Sequence, residues 1–198
     1  VPATVTEGTL TIPEGTIGGT NRVSFAQKTL TVNATISGQG TVKLNGDAIA
    51  SGYAASIAGG AKLVFTLIPD AGYAVQSVTC NESAVVLMDN GTTYTINALN
   101  ENSNLVFTFV EESTMGTTYN ISFAQTGHGN VFYLNDVIPA GAQVRVNQGE
   151  NVALSFYPTE DFVFQKLEVD CVDVTSDVVN ESYTIQNVQA DVVVSTTF

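Results

Sequence analysis

The chain matches itself at a single offset of 89 residues, and this limits its possible folds more than any other feature. Residues 62–73 (KLVFTLIPDAGY) form an apolar run stopped by Pro69, then an acidic turn and an aromatic; residues 151–162 (NVALSFYPTEDF) restate it, with Pro158 89 residues after Pro69. With that offset held, Gly40 falls on Gly129, Val42 on Val131, Gly52 on Gly141, Gly60 on Gly149, Tyr73 on Phe162, Tyr94 on Tyr183, Ile96 on Ile185, Leu99 on Val188 and Phe109 on Phe198. A fixed internal period is the signature of an array of like units. Glycines, a proline and aromatics that all keep one register predict two equivalent units, residues 26–112 and 113–198.

The opening segment fits the same scheme. Residues 9–12 (TLTI) and 23–25 (VSF) copy residues 93–96 (TYTI) and 107–109 (FTF) at an offset of 84. One reading of residues 1–25 is therefore the last two strands of a truncated third unit, which makes the chain part of a longer array. The other is that they add two strands to the first full unit.

Between turns rich in Gly, Asn and Asp, β-branched and aromatic residues alternate, which predicts strands and no sustained helix. Residues 29–37 (TLTVNATIS) place Leu30, Val32, Ala34 and Ile36 on one side of a half-buried strand. Gly38-Gln39-Gly40 reads as a turn from which residues 41–44 return as the partner strand, with Gly127-His128-Gly129 as its counterpart. Asn45-Gly46-Asp47 is the strongest hairpin signal, because Asn and Gly accept the positive φ of a tight turn. Gly52 and Gly59-Gly60 bound short strands, residues 73–79 alternate, residues 83–88 form a further apolar run, Asn90-Gly91 turns the chain, and residues 93–96 and 105–110 close the unit. The linker, residues 111–116 (EESTMG), is short and polar, so the units are expected end to end with limited hinge freedom. The expected fold is all-β: two tandem small β-sandwich or open-barrel domains.

Charge and length narrow the class of partner. Six Lys and Arg stand against 19 Asp and Glu, a formal charge of −13, which excludes nucleic acid because neutralising phosphates needs clustered cations. An anionic membrane surface would repel the chain, and no apolar run approaches the roughly 18 residues of a membrane-spanning helix. No basic-then-apolar leader precedes Val1, so any signal peptide is expected to have been removed or to lie outside this sequence. The low-lysine surface rich in Thr, Ser, Asn and Gly suits a secreted bacterial β-protein. Cys80 and Cys171 are 91 residues apart, out of register with the repeat, and are expected to be two buried thiols acting as small hydrophobes.

Candidate chemistry is sparse. His128 is the only histidine and matches Gln39, which favours an exposed turn residue over a base or a metal ligand; zinc and copper have no ligand set. Glu160-Asp161, Asp170, Asp173 and Asp177 are the carboxylates from which a glycosidase pair would be drawn. Asp170, Asp173 and Asp177 surround a predicted hairpin and are candidates for a weak Ca²⁺ site, against the alternative of a solvated acidic edge. The Gly-x-Gly elements lack the helix and the G-K-[ST] ending of a phosphate cradle and are read as hairpin turns. Lys62, a candidate for an isopeptide crosslink, matches Asn151, which argues against a shared device. Tyr53, Phe132 and Tyr133 lie near hairpins and are the candidate ligand-contact aromatics, a sugar-stacking platform weighed against ordinary rim packing.

The ordered set of TLTVNATIS, a G-x-G-x-V segment, a glycine before an apolar strand ending in Pro, an acidic-Gly-Tyr turn, and a final YTI with an F-terminated strand resembles the divergent internalin-type B-repeats. These are small β-domains in tandem on bacterial surface and secreted proteins. Their tryptophan shortly after the Gly-Tyr is missing; Val78 and Leu167 hold the nearest positions, and the chain has no Trp. The resemblance implies a non-enzymatic extracellular module of a bacterial cell-surface protein, acting as stalk, spacer or adhesion domain, with no catalytic residue or cofactor. Its partner is expected to be a host or bacterial surface protein or glycan, and the module itself a monomer. Two other functions stay open: a carbohydrate-binding accessory domain of a secreted polysaccharide-processing protein, and a hydrolase with an unrecognised acidic pair.

Overall fold

The structure, a computed structural model, describes residues 4–6, 9–11, 26–159 and 161–198. In chain order the first strands are β1 (Thr4–Thr6), β2 (Thr9–Thr11), β3 (Thr29–Ser37), β4 (Gly40–Leu44), β5 (Asp47–Ile49), β6 (Tyr53–Ala58), β7 (Leu63–Pro69), β8 (Tyr73–Cys80), β9 (Ser83–Ala84), β10 (Thr93–Ile96) and β11 (Ser103–Glu111). After a 3-10 turn at Glu112–Thr114 come β12 (Thr118–Thr126), β13 (Gly129–Tyr133), β14 (Asp136–Ile138), β15 (Gln143–Asn147), β16 (Val152–Pro158), β17 (Lys166–Val169), β18 (Val172–Asp173), β19 (Ser182–Ile185) and β20 (Val192–Thr197). The fold is all-β. One half forms a four-stranded sheet β10-β7-β4-β5 and a five-stranded sheet β6-β3-β11-β8-β9, the other β14-β13-β16-β19 and β15-β12-β20-β17-β18. Neighbouring strands run antiparallel except for β3–β11 and β12–β20, which are parallel.

Alternation in the sequence becomes burial in the sheets. Leu63, Phe65 and Leu67 of β7 and Leu105, Phe107 and Phe109 of β11 turn inward, and the rings of Phe65 and Phe107 meet 5.4 Å apart between the two sheets. In the other half Phe156 meets Phe164 at 5.0 Å, and Phe164 meets Phe198 at 6.1 Å. Volume has moved rather than vanished: Thr196 stands where the offset places Phe107, and Phe164 where it places Val75. Among the described residues the hydroxyl of buried Thr196 has no hydrogen-bond partner. Pairing registers coincide at the same offset, with Gly40 opposite Pro69 and Gly129 opposite Pro158. Each proline ends its strand, where a missing N–H does least harm to the ladder.

Several sequence expectations need correction. Gly38-Gln39-Gly40 is not a hairpin turn, because β3 and β4 belong to different sheets. The glycines make a corner that carries the chain from one sheet to the other against the closing phenylalanine. A Cβ on Gly38, whose φ is +84°, would lie 1.9 Å from the Phe109 carbonyl oxygen, and one on Gly40 would lie 2.7 Å from the Phe109 ring. Gly127 and Gly129 stand against Phe198 in the same way, at 2.2 and 2.4 Å. The Gly-x-Gly pair and the terminal Phe therefore recur together because they touch. The apolar run 83–88 is strand only at Ser83–Ala84. Cys171, expected to be buried, is exposed: at φ 65° it occupies the tight turn between β17 and β18, while Cys80 is half-buried. In the opening segment β2 pairs with β1, Thr9 opposite Thr6, a strand the sequence reading did not anticipate. Residues 23–25 lie outside the described residues.

Candidate functional site

In the sheet β14-β13-β16-β19, Val131 and Tyr133 of β13 and Val152, Leu154 and Phe156 of β16 are buried. Period-two geometry sends Asn130 and Phe132, with Ala153, Ser155 and Tyr157, to the opposite, wet face. Phe132 lies opposite Ser155 and diagonal to Tyr157, whose partner is Asn130. The two rings meet edge-on, centroids 5.2 Å apart and planes at 85°, with Tyr157 52% exposed. Such pairs form when a sheet face carries aromatics at diagonal positions.

The turn from β13 to β14 forms one wall. Tyr133 and Asp136 pair directly, so Leu134 and Asn135 are the turn, at φ 50° and 66°. Both values lie in the left-handed region, the requirement of the tight two-residue turn. In the other half the matching residues are Asn45 and Gly46, which tolerate that region, whereas leucine pays about 1–2 kcal/mol to enter it. Leu134 is nonetheless 45% exposed, so burial does not hold it there. Together these residues line a groove of about 630 Å³ with Asn135, Glu150 and Asn151 at its margin.

Glu150 is already engaged. The Tyr133 phenol donates to its Oε1, and the Asn147 backbone N–H donates to its Oε2 at 2.9 Å. Burial, reinforced by that carboxylate, raises the Tyr133 phenol well above its ordinary value, so it stays a donor.

The three aromatics expected from the sequence separate. Phe132 lies in the groove; Tyr133, its neighbour, points into the core and reaches the groove only with its margin; Tyr53 begins β6 in the other half and packs against that core. Tyr157 and Leu134 escaped the sequence reading. Alternation through Val152, Leu154 and Phe156 was the signal for Tyr157, since it puts the next residue outside.

Two of the acidic candidates, Asp170 and Asp173, are engaged by the backbone. Asp170 accepts from the Val193 N–H at 2.8 Å. Asp173 accepts from the Thr175 N–H at 3.0 Å and lies 4.0 Å from Lys166 Nζ, and the Thr175 hydrogen bonds hold its carboxyl below the usual range. Asp177 ends the 3-10 turn Thr175–Asp177. Among the described residues no group of three or more His, Cys, Asp or Glu side chains is placed to hold a metal ion, so the carboxylates suspected of binding Ca²⁺ do not converge. Glu160 lies outside the described residues. Exposed His128 rests its ring 4.6 Å from that of Phe162.

A second locus joins the halves. Val86, 3% exposed, belongs to the core formed by residues 121–198 rather than to that of its own half, and Met88 packs against the same core. The Val86 N–H donates to Asp136 Oδ2 at 3.3 Å, and burial raises the Asp136 carboxyl above its ordinary value. The Arg145 guanidinium donates to the Val75 carbonyl and lies over Gly91, where a Cβ would sit 2.6 Å from the guanidinium carbon. Burial lowers the Arg145 guanidinium from its ordinary value. The halves are thus joined by an inserted loop as well as by the short linker.

No protein-family model matches the sequence, and no curated protein matches it. Among the described residues no helix is long and apolar enough to cross a membrane.

Proposed function

We propose that the chain is a non-enzymatic extracellular module of a bacterial cell-surface protein, two β-domains (residues 26–112 and 113–198) of a tandem array that hold an outer element at a fixed distance and orientation. The carrying observation is the insertion of Val86 into the neighbouring core, flanked by the Asp136 and Arg145 contacts. A spacer must resist bending, and a buried apolar contact between successive units supplies resistance that a flexible linker of the same length does not. The 89-residue self-match and the likeness to internalin-type B-repeats support the array; the strongly acidic, lysine-poor surface supports life outside the cell.

Small-angle scattering tests the mechanical part. The wild type gives a distance distribution with a fixed maximum, and Val86→Ala, with circular dichroism checking that both halves stay folded, broadens it. A wild type already as broad as the variant refutes a spacer role. Antibodies against the chain label intact producing cells, and labelling only after lysis removes the extracellular assignment.

A further inference from the structure

We infer that the outer face of β13 and β16 is a binding groove for a neutral glycan chain, a function beyond spacing. The rings of Phe132 and Tyr157 stand on a solvent-facing surface, in a half-open groove whose 630 Å³ falls within the range of about 300–1,000 Å³ for small-ligand sites. The apolar C–H face of a pyranose stacks on an exposed ring through summed dispersion contacts. Its hydroxyls need partners that both donate and accept, and the amides of Asn130, Asn135 and Asn151 with the Ser155 hydroxyl offer both along the groove.

The same residues exclude other occupants. Among the described residues no Lys or Arg lines the groove, so an anionic sugar, a phosphate or a nucleic-acid strand finds no countercharge there. The one carboxylate among the described lining residues, Glu150, already accepts hydrogen bonds from Tyr133 and Asn147, which leaves it a poor seat for a cation. An extended peptide would add to a free strand edge, but β13 lies between β14 and β16, and β16 between β13 and β19, so the backbone beneath the groove is already paired.

The other half serves as an internal comparison. At the matching positions it carries Lys43 for Phe132, Ile68 for Tyr157 and Asn45 for Leu134, so the aromatic pair belongs to one unit only. The left-handed Leu134 adds weight, since backbone strain persists where the surrounding structure or a function holds it.

Affinity gel electrophoresis of the whole chain through laminarin, xylan, mannan, hydroxyethylcellulose and, as an anionic control, polygalacturonate tests the groove. At least one of the four neutral polymers should retard the wild type and polygalacturonate should not. Tyr157→Ala and Phe132→Ala should each weaken the retardation about tenfold, or about 1.4 kcal/mol, while Tyr157→Phe keeps most of it. Should Phe132→Ala fail to fold, Tyr157→Ala carries the test, because more than half of that side chain is already in solvent. Retardation by none of the neutral polymers, retardation by polygalacturonate alone, or equal retardation of wild type and Tyr157→Ala overturns the inference. None of these outcomes bears on rigidity, so the spacer reading stands or falls separately.

Discussion

Replacing Val86 by alanine tests whether the two halves share a core. Val86 is 3% exposed and belongs, with Ile138, Val144 and Val146, to the core of the half that does not contain it. Val86→Ala removes two carbons at about 0.8 kcal/mol each, roughly 1.6 kcal/mol of transfer free energy. An unfilled cavity adds on the order of 1 kcal/mol at about 24 cal/mol per Å³, so the expected loss is about 2–3 kcal/mol. Denaturant unfolding measures the size of the loss and hydrogen exchange its location. Protection should fall in β14 and β15, which carry Ile138, Val144 and Val146, and stay unchanged in β7 and β11, which line the other core. A loss under about 0.5 kcal/mol, or one confined to β7 and β11, refutes the shared core.

Three further outcomes follow from single groups. Gly127→Ala, with φ +82° and a Cβ 2.2 Å from the Phe198 carbonyl oxygen, should cost at least about 2–3 kcal/mol by thermal or denaturant unfolding, since both backbone strain and a clash oppose it. Thr196→Val removes a buried hydroxyl that finds no partner among the described residues and should stabilise by about 1 kcal/mol, read from the denaturation midpoint; a loss instead would mean that the hydroxyl is satisfied. Burial raises the folded-state pKa of Asp136 above its unfolded value, so the charged carboxylate destabilises the fold at neutral pH. That penalty is relieved as pH falls through the folded pKa towards the unfolded value near 4 and does not change further below it. Asp136→Asn should accordingly flatten the wild type's gain in stability on mild acidification; identical pH profiles would refute the role of Asp136.

What the sequence disclosed depended on whether the signal was local. Strand alternation and the Asn45-Gly46 turn are local, and β3, β7, β8 and the β4–β5 hairpin follow from them. Sheet membership is not local: Gly38 and Gly40 look like any turn glycines until Phe109, some 70 residues later, is seen to fill the corner they make. Val86 shows the same limit, because an apolar residue in a short run carries no mark of which core it will enter. Phe132 was found as an aromatic near a hairpin, but the groove required Tyr157, brought beside it only by pairing β13 with β16. Cys171 failed for a related reason: a small hydrophobe is expected inside, but its left-handed turn position turns it to solvent.

The differences between the two halves locate function better than their likenesses do. Positions that keep their residue type at the 89-residue offset, such as Gly38 with Gly127 and Phe109 with Phe198, are held by packing that both halves need. A change that lowers strain or improves burial needs no special explanation. The change from Asn45-Gly46 to Leu134-Asn135 does the reverse, placing an exposed leucine in a conformation that disfavours it. Where the first half has Lys43 and Ile68 the second has Phe132 and Tyr157, an aromatic pair on the solvent-facing side of the sheet. Three such differences gather on one face around one groove, the pattern expected of the glycan site inferred above. If that is the cause, restoring the turn with Leu134→Asn and Asn135→Gly should leave the fold at least as stable while weakening polysaccharide retardation. A double variant that retains full binding would show that the strained turn has no part in the site.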